Sequence, residues 1–185
     1  ADSLAAKSGS REVQSLTAKI LGSVLWMGWE HKQALQQFER VLEYVDERDD
    51  PRAAALSYHD AAFVLHIEGQ RQRAFDLLDR AKTLFRTAGD DAWELAVDNN
   101  LAFLMASTGD IEAADHVLSE VIARFATMTH GLPVEAFLES RAYLLWRLGK
   151  YEALLDVCDA LITEATRFSR SEPRIVGLLF RAEAL

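Results

Sequence analysis

Apolar residues recur along this chain at helical spacing, in blocks separated by short polar turns. From about Arg11 to Met27 the residues Leu16, Ile20 and Val24 stand four positions apart, as on one face of an amphipathic helix. A second such block predicts a helix from His31 to about Glu47. Its expected buried stripe consists of Ala34, Leu35, Phe38, Val41, Leu42 and Val45. Joined by a glycine-containing turn, the two blocks predict an antiparallel helical hairpin.

This hairpin pattern recurs with a period of forty residues, and its turn glycines are Gly69, Gly109 and Gly149. The first helix of each hairpin, helix A, has a small residue seven positions before the turn; these are Gly22, Ala62, Ala102, Ala142 and Ala182. Three positions further on stands a bulky apolar column of Leu25, Leu65, Met105, Leu145 and Leu185. Because a fixed period of this size is typical of stacked helical hairpins, we predict an all-α repeat array.

The period defines four complete hairpins and one additional helix. We place the repeats at about 11–47, 51–87, 91–128 and 133–168, and a half repeat at 172–185. Residues that cap helices or fit a first helical turn mark the joints, at Asp49-Asp50-Pro51, Gly89-Asp90-Asp91, His130-Gly131-Leu132-Pro133 and 169–173. Residues 1–10 are expected to be flexible or the tail of a preceding helix, with a break at Ser8-Gly9-Ser10. Because the last helix has no second helix to pair with, we expect a fragment of a longer protein.

These columns resemble the tetratricopeptide repeat, which combines a small residue on helix A, a turn glycine, and an alanine followed four positions later by a large residue on helix B. The second and third repeats carry this pattern at Ala62, Gly69, Ala74 and Leu78, and at Ala102, Gly109, Ala114 and Leu118. The fourth repeat has Leu154 and Cys158 in the helix B positions, and in the first the glycine is shifted to Gly28. The resemblance implies a right-handed superhelix with the A helices on its concave face.

The repeat differs from the tetratricopeptide pattern in its length, forty residues instead of thirty-four, which implies longer helices. Repeats of this length resemble those in the sensor regions of bacterial transcription activators similar to the maltose regulator. That resemblance implies the regulatory or signalling part of a larger bacterial protein. No DNA-binding helix-turn-helix and no nucleotide-binding loop lies within these residues.

Composition narrows the classes of partner. The net charge of −9 argues against direct binding to DNA or RNA, which requires clustered lysine and arginine. No apolar run is long enough to span a membrane and the first residues do not resemble a signal peptide, so we predict a cytoplasmic chain. The single cysteine, Cys158, falls in a helix B column otherwise filled by Phe38, Leu78 and Leu118, and we expect it in the core.

Side chains of the A helices that point away from the B helices form a candidate partner-binding groove. They stand one position after the small column (Ser23, Phe63, Phe103, Tyr143), four after it (Trp26, His66, Ala106, Trp146) and three before it (Lys19, His59, Asn99, Glu139). Aromatic anchors beside a polar row suit an extended peptide or a partner helix. Packing between neighbouring A helices explains the same aromatics, and both interpretations stay open. The polar row lacks the lysine, asparagine and arginine set with which co-chaperone repeats that it resembles hold a C-terminal carboxylate.

No catalytic motif, phosphate loop or metal-ligand spacing occurs in the sequence. His59 and His66 are two helical turns apart, about 10 Å along the axis, too far to share one ion. We expect His31, His116 and His130 in turns or on the outer face, exposed to solvent. We therefore predict a non-enzymatic protein- or peptide-binding module without metal or cofactor. The alternative is self-association as a homodimer through 172–185, whose unpartnered apolar residues are Ile175, Val176, Leu178, Leu179 and Leu185.

Overall fold

The computed structural model describes residues 2–128 and 134–185, and their side chains from residue 11 onward. The described residues form nine α-helices and no β-strand: α1 (Asp2–Met27), α2 (His31–Val41), α3 (Pro51–Ile67), α4 (Arg71–Thr87), α5 (Asp91–Ser107), α6 (Ile111–Phe125), α7 (Val134–Leu148), α8 (Tyr151–Arg167) and α9 (Ser171–Ala184). This confirms the all-α prediction. The predicted joint at His130–Pro133 lies outside the described residues.

Odd-numbered helices correspond to helix A of the repeat and even-numbered helices to helix B. Within the first hairpins α1 packs on α2 and α3 on α4; later in the chain α7 packs on α8, and α9 contacts both. The chain divides into two compact units, Ala1–Val97 and Asp98–Leu185, so that α5 contributes residues to each. Each unit has its own buried core.

Aspartate caps begin two of the A helices, as predicted. The Asp50 carboxylate accepts a hydrogen bond from the Ala53 N–H at 2.9 Å, with Pro51 in the first helical turn of α3. The Asp90 carboxylate accepts from the Trp93 N–H at 3.2 Å at the start of α5. Because the first N–H groups of a helix have no partner within it, these side chains fix where each helix begins.

The turns between helix A and helix B share one backbone geometry. Gly69, Gly109 and Gly149 all have positive φ, and in the first hairpin Trp29 takes this position with φ of 64°. The Trp29 N–H donates to the Trp26 carbonyl at 3.0 Å, and the next N–H donates to the Leu25 carbonyl at 2.9 Å, which closes the helix as in the glycine turns. The first repeat has therefore not shifted its turn to Gly28; an exposed tryptophan occupies the left-handed position.

Replacing Trp29 with glycine should stabilise the protein by about 0.5–1 kcal/mol, because the left-handed conformation is strained for any residue with a Cβ and free for glycine. Chemical denaturation of W29G against the wild type measures this change. Ser169, with φ of 55°, offers a second site where glycine should act in the same direction. A loss of stability in W29G would mean that the indole contact with the His31 ring, at 5.9 Å between centroids, outweighs the strain.

The small column is buried wherever a helix B covers it. Ala62, Ala102 and Ala142 are fully buried or nearly so. At Gly22 even a methyl group would not fit, because a Cβ would lie 2.6 Å from Cε1 of Phe38. Ala182 is exposed, because no described helix lies over that side of α9, the helix for which no helix B was predicted.

Cys158 is fully buried in the second unit, in a cluster with Leu138, Ala142, Leu145 and Leu154. Burial raises the pKa of its thiol, and the nearby Asp159 carboxylate adds to that effect. Because the thiolate is the nucleophile of cysteine chemistry, this environment suppresses reactivity. The core position predicted for Cys158 is confirmed.

The terminal helices each leave an apolar side uncovered. On α1 the predicted stripe of Leu16, Ile20 and Val24 is exposed, and the face buried in the unit carries Ala18 and Gly22 instead. The small column at Gly22 was predicted to face the neighbouring helix, and it does so because close packing against α2 requires small side chains. On α9 the exposed residues are Ile175, Leu178, Leu179 and Leu185, while Val176 is half-buried.

Two helix boundaries differ from the predicted ones. Helix α1 extends back to Asp2, through the break predicted at 8–10, because single glycine and serine residues weaken a helix by about 1 kcal/mol or less and do not end it. Helix α2 ends at Val41 instead of about Glu47, and residues 42–50 form turns before α3.

Candidate functional site

The predicted partner-binding side chains belong to helices α1, α3, α5 and α7, and we call their surface the A-face. In the first unit it comprises Lys19, Ser23, Trp26, His59, Phe63 and His66; in the second, Asn99, Phe103, Glu139, Tyr143 and Trp146. Ala106, also predicted there, is buried in the core with Ala102 and Ala114. The two groups are described separately because each lies in its own unit.

In the first unit two rings of the A-face contact each other. Trp26 and Phe63 meet edge to face, with centroids 5.1 Å apart. Trp26 is half-buried because it also stacks on His31 at 5.2 Å, whereas 39% of Phe63 is exposed. His31, expected in solvent, is therefore half-buried, and its Nδ1 lies 3.3 Å from the Glu68 carboxylate. Phe63 is the ring that remains accessible.

The two histidines of α3 are held by different neighbours. His59 lies edge-on to Trp93 at 5.4 Å, and its Nδ1 is 3.2 Å from the Asp60 carboxylate. His66 is half-buried; burial lowers the pKa of its imidazole, and the Arg71 guanidinium lowers it further. The two imidazoles therefore have different surroundings. Of the other histidines, His116 is exposed as predicted, and His130 lies outside the described residues.

Helix α1 also contributes two polar residues to the A-face of the first unit. Lys19 and Ser23 are half-buried, and the Ser23 hydroxyl donates to the Lys19 carbonyl at 3.1 Å. Such a bond within the helix holds the serine hydroxyl on the helix surface. The Lys19 side chain also lines a cavity between α1 and the start of α3.

In the second unit the aromatic residues of successive A helices form a continuous row, which we call the aromatic row. Phe103 of α5 contacts Tyr143 of α7 at 5.8 Å, Tyr143 contacts Trp146 at 6.2 Å, and Trp146 contacts Phe180 of α9 at 6.3 Å. Phe103 is 37% exposed and Trp146 is 39% exposed, so both rings pack against neighbours and present a face to solvent. The two interpretations left open by the sequence, packing and exposure, therefore apply to the same side chains.

Phe180 was not among the predicted site residues. It stands two positions before the small column, where the earlier repeats have Ile20, Asp60, Asn100 and Ser140. The column rules therefore gave no reason to select it. The indication available in the sequence was an aromatic ring at a position of helix A that is polar in the second, third and fourth repeats.

Charged and polar groups flank the aromatic row. The Arg147 guanidinium donates to the Tyr143 hydroxyl at 3.1 Å and lies 5.8 Å from its ring centroid. Burial raises the pKa of the Glu139 carboxyl, and the Glu172 and Glu135 carboxylates raise it further. Asn99 donates from its amide to the Asn100 side chain at 3.4 Å. Arg147 therefore contacts the row directly, and Glu139 stands one helical turn before Tyr143 on α7.

The described residues contain no group of three His, Cys, Asp or Glu side chains placed to hold a metal ion. Nor is any helix in the described ranges both long and apolar enough to cross a membrane. The A-face instead presents partly exposed rings with charged groups beside them.

Comparison with solved structures shows the fold. The repeats of a putative kinesin light chain from Podosopora anserina, described as nearly identical TPR-like repeats, superpose with a TM-score of 0.70 at 17% identity, over 92% of this chain and 86% of that one. BtubC (BKLC) from P. vanneervenii gives a TM-score of 0.71 at 15% identity, over 88% of this chain and 67% of that one. PilW, a type IV pilus biogenesis factor, gives 0.60 at 11% identity, over 92% and 77%.

These likenesses confirm the tetratricopeptide-like fold. No protein-family model matches the sequence, and no curated protein matches it. The resemblance to sensor regions of transcription activators stays a prediction.

Proposed function

We propose that this chain is a non-enzymatic protein-binding scaffold, which holds a peptide segment or helix of its partner against the A-face. The observation that carries the proposal is the aromatic row of the second unit. Its rings contact each other at 5.8–6.3 Å, yet Phe103 and Trp146 each keep more than a third of their surface exposed. Rigid aromatic anchors of this kind dominate the binding energy of many protein interfaces.

The charge of the chain indicates the class of partner. With a net charge of −9, it attracts positively charged segments and repels acidic ones. Glu139 lies beside the row, and a lysine or arginine of a bound segment would pair with its carboxylate there. We therefore expect a segment with one or two aromatic or large apolar residues next to basic ones.

A peptide selection with matched variants tests this proposal. Peptides selected from a random display library on the wild-type chain should bind the double variant F103A/W146A roughly 30-fold or more weakly, because loss of a central aromatic anchor costs about 2 kcal/mol or more. The control is Y151A on helix α8, since Tyr151 is an exposed aromatic, 48% accessible, outside the A-face. Peptides that bind F103A/W146A as tightly as wild type would remove the A-face assignment.

The proposal extends to the kind of protein this chain belongs to and to the compartment in which it acts. The length of the repeat and its resemblance to activator sensor regions favour the regulatory part of a bacterial transcription or signalling protein, acting in the cytoplasm without direct contact to nucleic acid. In that setting the A-face would receive a protein signal and pass it to another domain. An electrophoretic mobility assay that shows tight DNA binding by this chain would contradict it.

Self-association is the second candidate function, and it would act through the exposed apolar face of α9. Ile175, Leu178 and Leu179 are exposed on this helix, and Leu185, which directly follows it, is exposed as well. A second copy could bury them in a two-fold contact. In sedimentation, a dimer that L178K/L179K converts to monomer would support this function, and a wild-type monomer at high concentration would exclude it.

A further inference from the structure

A cavity of about 680 Å³ lies within the first unit, at the joint between α1 and α3. Its walls are α1, the turns that follow α2, and the first residues of α3. The cavity exists because α2 ends at Val41, whereas the corresponding helix α4 continues to Thr87 at the next joint. Its volume falls in the range of small-molecule sites.

The forty-residue register shows which side chains are missing from this space. At the second joint Phe85 stacks on Trp93 at 5.6 Å, and His59 lies edge-on to the same indole at 5.4 Å. The residues at the corresponding positions of the first joint are Val45, Ala53 and Lys19. All three line the cavity. The second joint is filled by three rings in contact, whereas the corresponding positions of the first joint line an open space.

The interior of the cavity is apolar and its rim is charged. Leu16, Val41, Val45, Ala53 and Leu56 are its apolar lining residues. Its charged lining residues are the cations Arg11, Lys19 and Arg52 and the carboxylates Glu12, Asp46, Asp49 and Asp50. Arg52 is already paired with Asp90 at 2.7 Å, so the carboxylates of the rim are in excess over the remaining cations.

The segment that closes the cavity is fixed in place by tertiary contacts. The Tyr58 hydroxyl donates to one Glu47 oxygen at 2.5 Å, and the Arg80 guanidinium contacts the other. Arg80 and then Tyr58 lower the pKa of the Glu47 carboxyl, which therefore stays charged at neutral pH. Asp46 accepts from the Arg48 N–H at 2.8 Å and orders the adjoining turn. A wall held in this way gives the cavity a defined shape before any ligand arrives.

We propose that this cavity binds a small aromatic amine. The aromatic ring occupies the apolar interior, where Trp93 stands in the equivalent joint, and the ammonium group pairs with carboxylates of the rim, Asp49 first among them. An aromatic ring suits the space because the neighbouring joint is filled by rings. A cation suits the rim because the rim carries four carboxylates against three cations, of which Arg52 is already paired with Asp90.

Titration with tryptamine, followed by heteronuclear NMR on the full chain, tests the proposal. Saturable shifts at residues of the cavity are expected, with Kd on the order of 0.1–1 mM for a ligand of this size. Indole-3-acetate, which carries a carboxylate in place of the amine, should bind about tenfold or more weakly. Equal binding of the two ligands, or no saturable shift with tryptamine, overturns the proposal.

Two variants connect the binding to the cavity. V45F/A53W introduces the residues of the second joint at the first, and it should abolish tryptamine binding and raise Tm. The control A160W adds the same indole on the exposed side of α8 and should leave tryptamine binding unchanged. D49N should weaken the binding of tryptamine about tenfold and the binding of neutral indole hardly at all. This comparison tests the proposal even if V45F/A53W does not fold. Unchanged binding in D49N, or in a folded V45F/A53W, refutes the assignment. Neither variant touches Phe103 or Trp146, so failure here leaves the A-face proposal standing.

Discussion

Replacing Phe85 with alanine should lower the free energy of unfolding by about 3–5 kcal/mol, the cost of deleting a fully buried aromatic ring. Phe85 lies in the last turn of α4 and is completely buried. Its ring stacks on that of Trp93 with an interplanar angle of 17°. Because Trp93 lies at the start of α5, the stack joins the second helix B to the third helix A. Its loss would leave a cavity at that joint as well as removing the buried surface.

Urea denaturation of F85A followed by circular dichroism measures the effect. F168A is the matched control, because Phe168 is exposed in the turn before α9, where its ring lies against the guanidinium groups of Arg167 and Arg170. We expect the control to lose about 1 kcal/mol or less. An F85A loss no larger than that of F168A would mean that the stack contributes little to the joint.

Replacing Ala142 with leucine should destabilise the protein by about 1–3 kcal/mol, because the added carbons have no space in a fully packed core. Ala142 is completely buried in the cluster that contains Leu154 and Cys158 of α8. The same substitution at Ala182, one period later in the same column, meets solvent and should change stability by about 0.5 kcal/mol or less.

Comparison of A142L and A182L therefore separates packing from intrinsic helix preference, which is the same in both positions. Thermal unfolding provides the measurement, and A142L should have the lower Tm by several degrees. If both variants unfolded at the temperature of the wild type, the small column would not control the distance between helices A and B.

Much of the fold could be predicted because its determinants are local and periodic. The caps at Asp50 and Asp90, the turn glycines and the buried small column all depend on residue type at a fixed position in the repeat. Even Cys158 could be placed in the core from its column alone.

The end of α2 could not be predicted in this way. The stripe through Val41, Leu42 and Val45 continues at helical spacing, but the chain forms turns from Leu42 onward. Glu47 is instead held by Tyr58 and Arg80, which lie 11 and 33 residues further along the chain, and helix propensity is weak enough for such contacts to override it. The cavity at the first joint, which depends on this early end, was therefore not visible in the sequence.

For the candidate site, the sequence identified the side chains and left their accessibility undecided. Trp26 and Trp146 occupy the same column, yet Trp26 stacks on His31 and is half-buried, whereas Trp146 is more exposed. That difference depends on a neighbour contributed by the following turn. A prediction from the position within the repeat treats all repeats alike and so cannot distinguish the two tryptophans.

The uncovered sides of the terminal helices restrict how a chain of this kind can change length during evolution. The exposed residues Leu16 and Ile20 of α1 correspond, four periods later, to Val176 and Phe180 of α9, which pack against the preceding hairpin. Conversely, the exposed Ala182 corresponds to the buried Gly22. Each helix A therefore carries one face for the hairpin before it and another for its own helix B. Insertions or deletions of one whole period keep both faces matched, whereas any other length rotates one of them away from its partner.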